Sequence, residues 1–485
     1  MYLGIDIGTS GVKTVIIDAD GRVVGQGHAP LTVSRPHPLW SEQDPAQWAE
    51  ATDQAVCALD PTLRAAVKGI GLSGQMHGAV TLDAADRVLR PAILWNDGRS
   101  GPQCAELLER EPRAHAITGN AILAGFTAPK LLWLAEQEPD IFAATRTVLL
   151  PKDWLRLTMT GDKLSDMSDA SGTLWLDVAA RDWSDEMLAA CRLSRAAMPG
   201  LVEGSAPGGR LSATTAARWG MSRVPVAGGG GDNAAGAIGL GVIRPGDAFL
   251  SLGTSGVIFS VSDGFRPDVA RGVHSFAHAI PDTWHRMSVM LSAAACLDWA
   301  AGVLAFADVP ALLAAAEDAE PQSKLLFLPY LSGERSPHAD PDAQGVWFGM
   351  TGATGRPELA RAVLEGVAMG LRDGLDALEA GSERIRSLSL AGGGSRSPLW
   401  NRIIAATLNR TLVERESATV GPALGAARLG QLAAGDGDVS AVAATPAEIS
   451  RIEPDATLTE RMADQQVRFR ALYRAVRDLW TGKPS

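Results

Sequence analysis

Residues 4–21 read GIDIGTSGVKTVIIDADG, and residues 247–264 read DAFLSLGTSGVIFSVSDG. The five letters GTSGV start at residue 8 and again at residue 253, a separation of 253 − 8 = 245 in a chain of 485 residues. In each copy a short β-rich run precedes the loop, a second follows it, and an Asp-Gly turn signal closes the unit. After the first copy, RVVGQG (22–27) adds a third strand pattern, so residues 1–27 predict an antiparallel meander. Loop, flanking strands and following turn match together. The simplest account is two related domains, each opening with the same hairpin, and the period is far longer than that of a solenoid repeat.

Alternating strand and helix patterns lie between and after the hairpins. AAVKGIGLSG reads as a strand, and TAPKLLWLAEQ as a helix. VPVAGGGGDNAAGAIGLG (224–241) reads as a strand, a glycine turn and a helix opening at Asp232. Leu359, Val363, Val367, Leu371, Leu375 and Leu378 recur at helical spacing. A strand SLSLA, a turn GGGSRS and a helix with Pro398 near its start follow, and Gly421-Pro422 opens another helix. GVIRPGD supplies the turn residues for a boundary near 240–246, dividing the chain into 1–241 and 242–485. Residues 440–470 read as polar linker and terminal helix.

The bulk numbers are those of an ordinary globular protein: 46% apolar and 20% charged residues, with 44 basic and 55 acidic side chains giving −11. That charge argues against a surface that coats nucleic acid, but not against binding a small anion in a loop. No apolar run is long enough to span a membrane, and no basic and apolar leader precedes the first strand, so the expected location is cytoplasmic. Cys57, Cys104, Cys191 and Cys296 form no metal or redox spacing and are expected to be buried thiols.

Chemistry enters at the glycine-rich turns. GTSG between two strands lets the backbone turn sharply and presents N–H groups and hydroxyls that suit phosphate oxygens. One such loop is an ordinary hairpin; two at equivalent positions are able to grip a polyphosphate from both sides. Asp6, just before the first loop, suits either a structural hydrogen bond or a magnesium ion held against phosphates. Ser251 stands at the equivalent place in the second copy. Asp232 follows four glycines. It is a favourable helix cap, and equally a carboxylate able to accept a hydroxyl proton, the glycines then letting a ligand approach. LAGGGSRSPLW (390–400) is a strand–glycine–helix junction of the kind that admits a nucleotide. Gln75 and His77 in SGQMHG are able to read sugar hydroxyls. WNDGRS (95–100) is either a polar site cluster or a surface turn. Residues 69–74 contain a literal GxGxxG, but no helix pattern opens after it, which excludes a dinucleotide site. The C-terminal TGKPS lacks the core of a P-loop.

Taken together, GIDIGTSGVKTVIID, FTAPKLLWLAEQ (126–137), GGGGDNAAG, GVWFGMTGATGRPELARAVLE (345–365) and LAGGGSRSPLWNRIIA resemble the FGGY carbohydrate kinases over essentially the whole chain. SRPHPLWSEQDP, SGQMHG, ILWNDGR and LPYLSGERSPH resemble the branch of that family that phosphorylates D-xylulose. The resemblance implies an α/β fold, the actin-like, ribonuclease-H-like duplication of two domains, with ATP in the cleft between them. It implies ATP contacts at Gly8, Thr9, Ser10 and Lys13, at Gly253, Thr254 and Ser255, and at Gly392, Gly393, Gly394 and Asn401. Sugar contacts fall at Met76, His77, Trp95, Asp232 and Asn233. Asp232 is the implied proton acceptor, and Asp6 and Asp232 the implied magnesium-side carboxylates. ATP and Mg2+ are the implied cofactors, a ketose the implied partner, and a homodimer the implied assembly. Neither nucleic acid nor membrane is an expected partner. Acceptors other than D-xylulose (ribulose, another ketose or a polyol) and a non-metabolic actin-like ATPase are the alternatives.

Overall fold

The structure is a computed structural model that describes residues 1–319, 324–380, 384–416, 418 and 420–480; TGKPS lies outside the described residues. The first hairpin, Tyr2–Ile7 and Gly11–Ile17, pairs antiparallel, and Val23–Pro30 extends it, as the meander pattern predicts. On its other side Tyr2–Ile7 pairs parallel with Gly69–Gly74, which pairs parallel with Pro225–Ala227. The second hairpin, Ala248–Leu252 and Gly256–Ser262, has Trp284–Met290 antiparallel beyond it, with Ser387–Ala391 and then Thr411–Arg415 parallel on the other side. In both seven-stranded sheets the first hairpin strand thus pairs antiparallel with the second and parallel with a later strand on its other side, and a further antiparallel strand lies beyond the second. The duplication read from GTSG extends to the strands that flank each hairpin.

The two halves are interlocked by helices. The helix Pro422–Ala433 comes late in the chain, yet it lies on the first sheet, against Tyr2–Ile7 and Gly69–Gly74. Ala423, Ala426, Ala427 and Gly430 form its small-residue face. Gly71 sits directly beneath it: a Cβ there would overlap the Ala426 carbonyl oxygen. This accounts for the GxGxxG of residues 69–74. Alternate residues of a strand face the same way, so Gly69 and Gly71 both admit the helix backbone. The helix Asp232–Leu240, which ends the first half, crosses Pro422–Ala433 just as closely. A side chain on Gly425 would overlap the Ala235 carbonyl oxygen. Ala237 and Leu240 join one apolar cluster with Phe249 and Phe259 of the second sheet.

The remaining expectations divide. The helix Arg356–Glu379 buries Val363, Val367, Leu371, Leu375 and Leu378, with Leu359 half-buried. Residues 440–470 contain more than a linker: the strand Glu448–Ile452 pairs antiparallel with Thr411–Arg415 at the sheet edge, before the terminal helix Ala456–Trp480. Its alternation is weak because one edge of the strand is unpaired and its faces are largely solvated. Of the cysteines, Cys191 and Cys296 are buried, but Cys104 is half-buried and Cys57 is exposed at the end of its helix. Helical periodicity alone does not settle which side of a helix faces solvent. Among the described residues no helix is long and apolar enough to cross a membrane.

The crossing of the two helices makes a stability prediction. Gly425→Val should cost about 3 kcal/mol or more, or prevent accumulation of folded protein, because backbone rather than a flexible side chain must move. Gly101→Ala, where a Cβ meets nothing within 4 Å, is the control and should melt like the parent.

Candidate functional site

Two clefts open between the sheets and share one pair of residues, Asp232 and Asn233. The larger, about 360 Å³, is lined by Lys13 and Ser251 from the hairpins, by Gly392, Gly393 and Arg396 from the glycine turn, and by Gly421 and Pro422. The smaller, about 180 Å³, is lined by Met76, His77 and Trp95 from the first half and by Ser255, His274 and Arg335 from the second. Asp232 therefore stands at the neck between a nucleotide-sized space and a smaller one.

Asp232 is the first residue of its helix, not the cap; Gly231 holds that position. Asn233 fixes one carboxylate oxygen twice, through its backbone N–H at 2.7 Å and its Nδ2 at 2.9 Å, both to Oδ1. Oδ2 accepts no hydrogen bond from the described residues. Ser168 Oγ takes the Gly231 N–H at 3.1 Å and donates to Asp166, which pairs with the fully buried Lys152 at 2.7 Å. The turn beneath Asp232 is thereby tied to a buried ion cluster. The four glycines before it do not open the site to a ligand. Side chains on Gly228 and Gly229 would overlap the carbonyls of Glu203 and Leu72, and one on Gly231 would meet Met76. Their function is close backbone packing, which the sequence pattern does not distinguish from ligand access.

Asp6 is buried, accepts from Ser73 Oγ at 3.0 Å, and stands opposite Lys13 across the hairpin. Burial lifts its carboxyl to about 6, helped by repulsion from Asp232 and opposed by Ser73 and Lys13. Burial likewise lifts Asp232 to about 6 against the Asn233 hydrogen bonds. Two carboxylates in mutual repulsion form a fitting pair for a divalent cation. Among the described residues no group of three or more acidic, His or Cys side chains is placed to hold a metal. A magnesium ion held by one or two carboxylates with phosphate oxygens completing its shell matches this donor set.

The hairpin loops divide in their placement. Thr9 Oγ1 is already engaged: it donates to Gln75 Oε1 at 3.1 Å and accepts from Trp95 Nε1 at 3.0 Å. It is a brace, so its hydroxyl is not free for a phosphate. Gly8 N–H closes on Gly11 O, Gly253 N–H on Ser255 O, and the Gly253 and Thr254 carbonyls receive the N–H groups that open the helix Ala294–Val303. Ser10 and Thr254 are exposed at the loop tips, and neither lines a cleft. Of the glycine turn, Gly392 and Gly393 line the larger cleft, whereas Gly394 packs on Trp400 and Leu252. Asn401 is buried under that turn, its Nδ2 donating to Ser395 O at 2.7 Å and to Glu414 at 3.2 Å. It shapes the turn and does not reach the cleft.

In the smaller cleft, His77 holds a left-handed backbone, φ 68°, and its Nδ1 donates to Gly172 O at 2.6 Å. Burial drops its pKa to about 3, so the ring is neutral and its Nε2 is an acceptor. Lys130, missed by the sequence reading although it lies within FTAPK, is fully buried and donates to His77 O and Gly125 O, each at 2.8 Å. His274 is also missed; its Nδ1 faces Asn120 Oδ1 at 2.8 Å and its buried Nε2 has no partner. WNDGRS is neither a surface turn nor a bare site cluster. Asp97 and Arg99 are a buried ion pair at 2.7 Å, with Arg99 over the Trp40 ring and 2.8 Å from Glu42. Trp95 itself is 40% exposed at the cleft.

Residues 1–239 match the N-terminal domain, and residues 248–434 the C-terminal domain, of the FGGY family of carbohydrate kinases. The chain is 54% identical over 477 residues to a xylulose kinase of Escherichia coli (strain K12), covering 98% of each chain. It superposes on a xyloylose kinase from Brucella ovis with a TM-score of 0.96 at 50% identity, covering 99% of both. A gluconate kinase from Lactobacillus acidophilus, 23% identical and likewise covered to 99%, gives 0.94; this likeness is one of fold alone.

The raised carboxyls carry a sign for stability. Asp6 and Asp232 bind their protons more tightly folded than unfolded. Their contribution is favourable at low pH and is lost as pH rises from the unfolded carboxylate value near about 4 through about 6. Asp232→Asn should therefore melt above the parent at pH 8, and the gap should narrow at pH 5. A variant melting below the parent at pH 8 would show that the ionised Asp232 stabilises the fold.

Proposed function

Because the chain belongs to the FGGY family of carbohydrate kinases, we propose that it transfers the γ-phosphoryl group of ATP to the O5 hydroxyl of D-xylulose. The observation that carries the reading is Asp232 at the neck shared by the two clefts. ATP occupies the larger space and the sugar the smaller. The O5 proton passes to Asp232 Oδ2 as the oxygen attacks the γ-phosphorus and the bond to the ADP leaving group breaks. The identity to the Escherichia coli xylulose kinase supports the choice of sugar. The fold does not, since a gluconate kinase shares it.

In this reading Asp6 and Asp232 hold magnesium, which when bound neutralises phosphate charge. Lys13 faces the phosphates from the first hairpin, and Gly392 and Gly393 give the nucleotide its close approach. The N–H groups of Thr9 and Ser10 and of Thr254 and Ser255 lie at the phosphate end, while those of Gly8 and Gly253 close their own loops. Met76, His77, Trp95 and Asn233 line the sugar. Closure of residues 1–241 on 242–485 excludes water, the competing acceptor. The setting is the cytoplasm and xylose metabolism, and the working form a homodimer.

Three measurements test this. ADP release with Mg-ATP should rise selectively with D-xylulose in a panel with D-ribulose, L-ribulose, glycerol and gluconate. A rise with another sugar would displace the substrate, and a rate indifferent to all of them would return the chain to the non-metabolic actin-like ATPases. Asp232→Ala should lose about 10²–10⁴-fold in kcat. The logarithm of kcat/KM should climb with pH up to about 6, where Asp232 ionises, and level off above; a flat profile would remove Asp232 as the base.

A further inference from the structure

The segment LPYLSGERSPH (328–338) is one of four that resemble the D-xylulose branch of the family, and it has no role in the chemistry above. Its arrangement is specific. Glu334 is buried, and its Oε1 accepts the Leu291 N–H at 3.0 Å and the Arg335 N–H at 2.7 Å. Ser336 exchanges backbone and side-chain hydrogen bonds with Val289, and its Oγ donates to Gly272 O at 2.6 Å. Both neighbours of Arg335 are thus pinned to the strand Trp284–Met290 and the loop beside it. Arg335 projects into the smaller cleft, and its guanidinium has no hydrogen bond or ion pair among the described residues. The side chain is half-buried, and the charge of Glu334 acts on it, but its guanidinium donors are left to acceptors in the cleft. The unpartnered Nε2 of His274 lines the same wall.

Position decides what Arg335 meets. Asp232 lines both clefts, whereas Arg335 lines only the smaller. The Arg335 charge is felt at His77 and His274, while the cation acting on Asp6 is Lys13. With Asp232 at the neck taking the reacting hydroxyl, the donors of Arg335 are left for the other oxygens of a ligand in the smaller cleft. A planar guanidinium offers paired donors to two adjacent oxygens. Resting on the kinase reading above, we propose that Arg335 is a specificity-determining residue that binds the C1 hydroxyl and C2 carbonyl of the ketose, so that the second half of the chain reads the non-reacting end of the sugar.

The test compares D-xylulose with 1-deoxy-D-xylulose, which lacks the C1 oxygen. The parent should favour D-xylulose in kcat/KM. Arg335→Ala should raise KM for D-xylulose by about ten- to a hundredfold, leave KM for ATP unchanged, and nearly abolish the preference between the two sugars. Arg335→Lys, which keeps the charge but not the paired donors, should fall between. A variant that loses kcat at unchanged sugar KM would assign Arg335 to the phosphoryl group and overturn the proposal. Equal losses on both sugars, or none, would overturn it as well. Thermal melting and KM for ATP report the fold; if Arg335→Ala does not fold, Arg335→Lys and Arg335→Gln carry the same comparison. Should the parent use another sugar of the panel, the choice of D-xylulose falls, and Arg335 is tested on that sugar and its analogue deoxygenated at the end remote from transfer.

Discussion

The contact on which the rest depends is the crossing of two small-residue helices, Asp232–Leu240 and Pro422–Ala433, at backbone-to-backbone distance. Glycine at 425 and alanine at 235 let the axes approach as no larger pair would. Pro422–Ala433 in turn lies on Gly4, Gly69 and Gly71 of the first sheet. The Asp232 end of one helix and the cleft-lining start of the other are therefore set by a contact that tolerates almost no displacement. Asp232, Gly421 and Pro422 meet across one cleft because of that crossing.

On this frame the site is built by desolvation. Asp6 and Asp232 are held where burial raises both carboxyls, with repulsion from Asp232 adding to the rise at Asp6 and Lys13 opposing it there. The His77 ring is held neutral by the same effect, and Lys130 and Gly172 fix its position. None of these arrangements is favourable for the folded chain alone. In the proposed reading, a cation, a phosphate chain and a hydroxylated ligand would replace the missing solvent and make each favourable.

The duplicated fold was legible because a hairpin with its flanking strands and turn is a long pattern, and two copies of it imply two sheets. The positions of Asp6, Asp232, Met76 and His77 were legible for a related reason: each stands beside a turn signal. What was not legible was contact across the fold. The glycines at 228–231 and 69–74 look alike in sequence whether a ligand or the protein itself approaches them, and at Gly69, Gly71, Gly228 and Gly229 it is protein backbone. Thr9 reads as a phosphate-loop hydroxyl, but its hydrogen bonds go to Trp95 and Gln75, 86 and 66 residues away. Asn401, Lys130 and His274 owe their roles to partners that no local pattern reveals.

The helix Pro422–Ala433 gives the fold an order in time. The first sheet is complete in its strands once Gly231 has been made, but the groove along Gly4, Gly69 and Gly71 stays uncovered until Ala433 leaves the ribosome. During synthesis the amino-terminal half must wait, with backbone exposed, for nearly all of the carboxy-terminal half. The two halves look like independent units in sequence and in sheet order, yet neither matures alone. A chain truncated before residue 422 would leave the groove along Gly4, Gly69 and Gly71 bare.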